Sequence, residues 1–360
     1  MTPVPPLPDR FRGCLLACAI GDALGAPIEF LSLPHIRDRF GARGVRDFVT
    51  SADGLGSFTD DTQMTLFTAD GLIRAAAPPA HDPLPFLHRA YVRWLATQRE
   101  AGAPDIAPDL PGWLGLHPAL QARRAPGATC LGALHAHRPG STEAPLNNSK
   151  GCGGVMRVAP IGLACTDPSR AFGLGCAAAA LTHGHPSGYL TAGVLAALIS
   201  VLTQGESLDQ ALEHARALLR PHAGAEETLA ALEAAQTLAQ AGPPSPEALE
   251  TLGEGWVAEE ALGIAVYAVL ATTTLEEALV LAVNHGGDSD STGAIAGALV
   301  GTRDGTAAMP IRWVSRLEAQ DLIEQVADDL YQATRHGTVD LERYPTDQER
   351  ARFPDTGAPT

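Results

Sequence analysis

At 360 residues the chain is long enough to bury a substantial core, as one large domain or two smaller ones. Lys+Arg 25 against Asp+Glu 41 gives a net charge of −16, which argues against nucleic acid as a general partner, because binding its backbone takes a basic face. Hydrophobic residues make up 45% and aromatics only 5%, with abundant alanine, a balance that suits closely packed helices better than a β-sandwich.

In chain order, the residues before Phe11 are proline-rich and lack the basic-then-apolar order of a secretory signal. Apolar residues at helical spacing predict helices over Phe11–Ala23, Thr62–Ala77 and Pro85–Glu100. Only Val45–Val49 alternates like a strand. From Ala101 to Ser149, proline, glycine and polar residues predict surface loops within one domain rather than a linker. Further helices are predicted over Ser169–Leu181, Gly188–Thr203, Leu208–Leu219, Ala225–Ala241, Pro246–Leu252, Ala258–Ala271, Leu275–Val283 and Gly293–Leu299. Ile311–Arg335 follows as helix in pieces, and a loosely held tail is expected after Arg343 (residues 344–360). The fold class is all-α. No uninterrupted apolar run reaches the ~18 residues of a spanning helix, and the six cysteines show neither C-x-x-C pairing nor zinc spacing. A soluble cytoplasmic protein with free thiols and no membrane partner is the expectation.

Two oxygen-rich clusters stand out. Thr59-Asp60-Asp61-Thr62 opens a helix, where Thr59 serves as N-cap and one Asp meets the positive end of the dipole. A second Asp is left unexplained. More than two hundred residues on, Gly286-Gly287-Asp288-Ser289-Asp290-Ser291-Thr292 resembles the start of an EF-hand loop, but Leu299 stands where that loop needs a bidentate Glu. Brought together, the clusters would supply four carboxylates, and oxygen-only donors select Mg²⁺, Mn²⁺ or Ca²⁺. Gly293, Gly297 and Gly301 recur at a spacing that lets one helix press against another.

Ser149-Lys150-Gly151-Cys152-Gly153-Gly154-Val155-Met156-Arg157 is a glycine-rich loop whose backbone N–H groups suit an anion, although the P-loop spacing is missing. Lys150 and Arg157 either add charge there or lie solvated. Thr182-His183-Gly184-His185 lacks the further ligands of a zinc site, so His183 reads as a structural or substrate-contacting residue. His135 and His137 receive no role, and Cys152 lacks the His and Asp partners of a nucleophile. Trp256 reads as a core residue more readily than as a stacking surface.

Five motifs in order resemble the ADP-ribosylglycohydrolase family, which includes the dinitrogenase-reductase-activating glycohydrolases, over roughly Phe11–Gly301. They are Gly21-Asp22-Ala23-Leu24-Gly25 with Glu29, Phe58-Thr59-Asp60-Asp61-Thr62, Gly151 to Arg157, Thr182-His183, and Asn284 to Gly293. The resemblance implies a single compact orthogonal bundle with two Mg²⁺ (or Mn²⁺) at the base of a cleft. Thr59, Asp60 and Asp61 would ligate one side, and Asp288, Asp290 and Ser291 the other. Glu29 matches a loop carboxylate that reaches the metals or moves away to admit substrate. Asn148, Ser149, Lys150, Gly151, Cys152, Gly153 and Gly154 would hold the diphosphate and ribose, with His183 nearby. Asp60 or Asp61 would accept the proton of the attacking water, ahead of Glu29. The implied substrate is an ADP-ribosylated protein or ADP-ribose conjugate, with arginine N-linkage favoured over serine or O-acetyl linkage. A non-catalytic ADP-ribose-binding or immunity protein is the other reading, and oligomeric state is open.

Overall fold

The computed structural model describes residues 4–98, 112–136 and 138–346. Among them are seventeen α-helices, three 3₁₀ turns, two isolated bridges and no strand, as the composition predicts. One hydrophobic cluster runs through the bundle from Phe11 to Tyr344.

The centre is a pair of helices, Leu7–Gly25 and Ser289–Asp304, each buried on nearly every side. They run antiparallel in backbone contact. A methyl group added at Gly13, Gly21 or Gly25 would run into the backbone of Gly301, Gly293 or Ser289, and one at Gly297 into that of Ala17. The four-residue glycine spacing therefore does press two helices together, and the partner is the first helix. Its consequence is positional: the last turn of one helix, carrying Asp22, meets the first turn of the other, carrying Asp290.

The predicted Thr62 helix spans Asp60–Ala76 and the Gly293 helix begins earlier, at Ser289, because Thr59 and Asp288 act as N-caps. Helices Leu33–Phe40, Ala128–Leu134 and Ala159–Ala164 escaped prediction, being too short to show a full apolar period. Val45–Val49 pairs with no strand; the Asn284 side-chain amide takes that place, accepting from Val45 N–H (2.7 Å) and donating to Val45 C=O (2.8 Å). The start of the expected loose tail is packed. Tyr344 is buried and donates to Asp329 (2.9 Å), and Pro345 C=O accepts from Arg74 (2.7 Å). Residues 347–360, like His137, lie outside the described residues. One helix, Pro186–Thr203, is long and apolar enough to span a membrane, against the expectation from uninterrupted runs, but nearly all of it is buried within the bundle.

Candidate active site

The two acidic clusters converge. Glu29, Asp60, Asp61, Asp288, Asp290 and Ser291 line one cavity of about 320 Å³ together with Gly151, Cys152, Gly153 and His183. One oxygen from each of Glu29, Asp288 and Asp290 lies within 4.8 Å of the others.

Asp22 organises the first cluster. It is fully buried and accepts from Thr59 N–H (2.8 Å), Thr62 N–H (3.0 Å) and the Thr62 hydroxyl (2.6 Å), which fixes the turn carrying Asp60 and Asp61. Thr59 is buried behind that turn as its cap, with its hydroxyl 3.4 Å from both Asp61 N and Asp61 Oδ2. Asp60 accepts from Gly127 N–H (3.2 Å). Asp61 Oδ1 is buried with no hydrogen-bond partner, so capping does not account for this carboxylate. On the facing helix, Asp288 accepts from Ser291 N–H (3.4 Å) and from the Cys152 thiol (2.7 Å).

Burial and mutual repulsion raise the proton affinity of these groups. Burial, then Asp290, pushes Asp22 up to about 7 and Glu29 up to about 8. Asp60, Asp61 and Asp288 are raised well above the ordinary carboxylate range, chiefly by burial, with Asp290 adding to each. Such crowding is costly unless positive charge enters, and the donors are almost all hard oxygens. With the orphaned Asp61 Oδ1, this set fits a divalent cation of the Mg²⁺ or Mn²⁺ kind.

The glycine-rich loop is pinned from both sides. Asn147 accepts from Ser149 N–H (2.9 Å) and donates to Thr182 C=O (2.8 Å). Gly151 bridges to Val257, with Cys152 N–H donating to Trp256 C=O (3.2 Å) and Ala258 N–H to Lys150 C=O (2.8 Å). Gly151 N–H donates to Ser149 Oγ (3.3 Å), so two of the N–H groups expected to cradle an anion are engaged, and Gly153 is the glycine after Cys152 that lines the cavity. Lys150 pairs with Glu227 (2.9 Å) and Glu259, and neither it nor Asn148, Ser149 or Gly154 is among the cavity-lining residues.

The same bridge carries Trp256 to the cavity, correcting its core assignment. Its ring stacks on Phe30 (centroids 5.1 Å, 22°), which is 73% exposed and holds a left-handed φ of 68° beside Glu29. Arg157 is neither solvated nor at the cavity wall. Fully buried, it lies over the Tyr91 ring (4.1 Å) and donates to Thr182 Oγ1 (2.7 Å). Thr182 Oγ1, which accepts from Arg157, lies 2.8 Å from His183 Nδ1, and the imidazole lines the cavity. Burial, then Arg157, lowers His183 to about 3, so the ring stays neutral.

Asp22, Asn147, Gly127 and Phe30 were the contributors that residue reasoning did not place. Only Asp22 carried a signal, a carboxylate within a small-residue apolar run.

Residues 3–339 match the ADP-ribosylglycohydrolase family. The chain belongs to this family. The ADP-ribosyl-[dinitrogen reductase] glycohydrolase of Rhodospirillum rubrum is 26% identical, over 87% of this chain and 92% of that protein. The ADP-ribosylarginine hydrolase Tri1 of Pseudomonas putida is 25% identical, over 90% of this chain and 78% of that protein. A solved structure described as an ADP-ribosylglycohydrolase-related protein complex superposes with a TM-score of 0.64 at 25% identity, covering 91% of this chain and 99% of that one. Family membership carries the coarse activity: an ADP-ribosylglycohydrolase is a hydrolase of ADP-ribose linkages, acting on ADP-ribosylated proteins or ADP-ribose conjugates.

Proposed function

We propose that this ADP-ribosylglycohydrolase cleaves the ribosyl C1″–N bond of ADP-ribosylated arginine and releases ADP-ribose. The observation that carries the reading is the convergence of Glu29, Asp60, Asp61, Asp288 and Asp290 on one cavity, with Asp61 Oδ1 unsatisfied. Asp60, Asp61, Asp288, Asp290 and Ser291 would hold a pair of Mg²⁺ (or Mn²⁺), with Thr59 behind them and Glu29 close enough to Asp288 and Asp290 to share a cation. Bound there, the cations would fix ribose hydroxyls and lower the pKa of a water.

The rest of the chemistry belongs to the chain. As the C1″–N bond breaks through an oxocarbenium-like state, the guanidinium departs as neutral guanidine and regains a proton from solvent, and a water attacks the anomeric carbon. Asp60 accepts that water's proton, with Asp61 and then Glu29 as the alternatives; cation charge beside it would keep the carboxylate ionised and ready to do so. His183 contacts the substrate with its imidazole, and its neutrality spares the cavity a competing cation. The Gly153 backbone receives the diphosphate, and the Trp256 face takes a flat ring. The arginine linkage draws support from the motif details of the loops and from the name of the Pseudomonas putida relative.

The test incubates the protein and Mg²⁺ with arginine-linked and serine-linked ADP-ribosyl peptides and measures free ADP-ribose. Release from the arginine peptide is expected. Release from the serine peptide alone overturns the linkage, and release from neither, with Mg²⁺ or Mn²⁺, overturns the hydrolase reading for these substrates.

A further inference from the structure

Sulfur does not belong among the donors that a hard cation prefers, yet three sulfur-bearing residues, Cys130, Cys152 and Met156, line this cleft, and two of them stand beside the acidic cluster. Cys152 Sγ lies 2.7 Å from Asp288 Oδ2 and 3.5 Å from Ser291 Oγ. Met156 Sδ lies 3.9 Å from the same Ser291 hydroxyl. Both residues line the cavity that Asp61, Asp288 and Asp290 share, and Asp61 brings to it a buried oxygen without a partner. Thiolate and thioether select borderline and soft cations, whereas carboxylate and hydroxyl oxygens suit Mg²⁺ and Mn²⁺. An ion drawn to the Asp288 carboxylate therefore meets sulfur within reach of the same oxygen.

We propose that Cys152 supplies a thiolate ligand beside Asp288, so that the cleft also takes Zn²⁺ or Cd²⁺, in competition with Mg²⁺ or Mn²⁺. The inference rests on the carboxylates forming a cation site. Ligation forms one metal–sulfur bond and breaks one S–H bond, and the proton passes to solvent. Cys130 lines the same cavity but sits elsewhere, its Sγ 3.4 Å from Arg157 Nη1 and 3.8 Å from Gly153 C=O, against a cation rather than a carboxylate. The mixed donor set makes the protein sensitive to thiophilic metals in a way that an all-oxygen site is not.

The experiment titrates the full chain with Cd²⁺ and follows the ultraviolet charge-transfer band of a cadmium–thiolate bond. A parallel titration follows Mn²⁺ uptake by the loss of its free-ion paramagnetic resonance signal. The band is expected in the wild type and absent in Cys152→Ser. Displacing bound Mn²⁺ should require at least about tenfold more Cd²⁺ in the variant, the scale on which perturbing a ligand sphere changes metal affinity. In the wild type, bound Cd²⁺ should also protect Cys152 from alkylation, read by mass spectrometry, while Mg²⁺ protects it less; this arm needs no variant to fold. Mn²⁺ uptake with no Cys152-dependent band and no preferential protection overturns the thiolate ligand and leaves the carboxylate site standing. Uptake of neither metal overturns both.

Discussion

Asp60 and Asp22 are both buried carboxylates of one acidic centre, and their partners assign them different work. Asp60 reaches the cavity and, among the described residues, accepts from Gly127 N–H as its backbone donor from another segment, so its removal should strike chemistry more than folding. Asp60→Asn should lower kcat by about a hundredfold to ten-thousandfold, the usual worth of a positioned general base. Mn²⁺ uptake, read by paramagnetic resonance, should weaken, because Asp60 is also a proposed cation holder, but be recovered at higher Mn²⁺; full turnover with metal bound would remove Asp60 from the role of base. Asp22 instead accepts from two backbone N–H groups and a hydroxyl that have no water to turn to. Asp22→Ala leaves those donors unmet, at roughly 1–3 kcal/mol for each one stranded, and should destabilise the fold in urea melts as well as loosening the Asp60 turn. An unchanged urea midpoint would show that the turn stands without it.

The glycine seam between helices Leu7–Gly25 and Ser289–Asp304 separates stability from function along its length. Gly21 meets Gly293 one turn from the carboxylates, whereas Gly13 meets Gly301 at the far end. Gly21→Ala and Gly301→Ala both push a methyl into facing backbone, so each should cost about 1–3 kcal/mol or more and lower the Tm. Only Gly21→Ala should also weaken Mn²⁺ binding, because only there does separating the helices part Asp22 from Asp290. Equal metal affinities in the two variants would break the link between seam and site. The seam also shows what the sequence made legible. The spacing of Gly293, Gly297 and Gly301 announced a close helix contact, and the two oxygen-rich clusters suggested a shared pocket, because capping left one Asp of Thr59-Asp60-Asp61 unexplained and Asp288-Ser289-Asp290 lacked the Glu of an EF-hand loop. What stayed hidden depended on contacts across the chain. Trp256 reaches the cavity through a bridge from Val257 to Gly151, and Val45 finds its partner in the Asn284 amide 239 residues away. No window of sequence holds such a pair, and neither residue's own surroundings predict it.

For the molecule as a whole, the acidic centre couples folding to metal and to pH. Without cations the folded protein holds protons that the unfolded chain gives up: Asp22 is raised from 3.8 to about 7 and Glu29 from 4.5 to about 8. Between those limits the native state binds more protons than the unfolded state, so the slope of unfolding free energy with pH is negative for these groups. Their contribution is fully present below about pH 4 and is lost as pH rises towards 8. Other groups titrate in the opposite sense at lower pH: Asp70 is held low by Arg74 and Arg93 despite its burial, and buried His183 and His285, lowered to about 3 and about 4, add stability with rising pH until the unfolded imidazoles lose their protons above about 6.5, so the window that best isolates the centre is pH 7 to 8. In EDTA the Tm should fall across that window. A divalent cation supplies the charge that protons otherwise provide, and it binds the folded state alone, so it stabilises by mass action. Adding Mg²⁺ or Mn²⁺ should therefore raise the Tm more at pH 8 than at pH 6, where protons compete for the same oxygens. Scanning calorimetry at pH 6, 7 and 8, with EDTA and with each cation, measures both effects. A metal-induced rise that is equal at pH 6 and pH 8 would mean that the cations bind somewhere other than this cluster of protonated carboxylates.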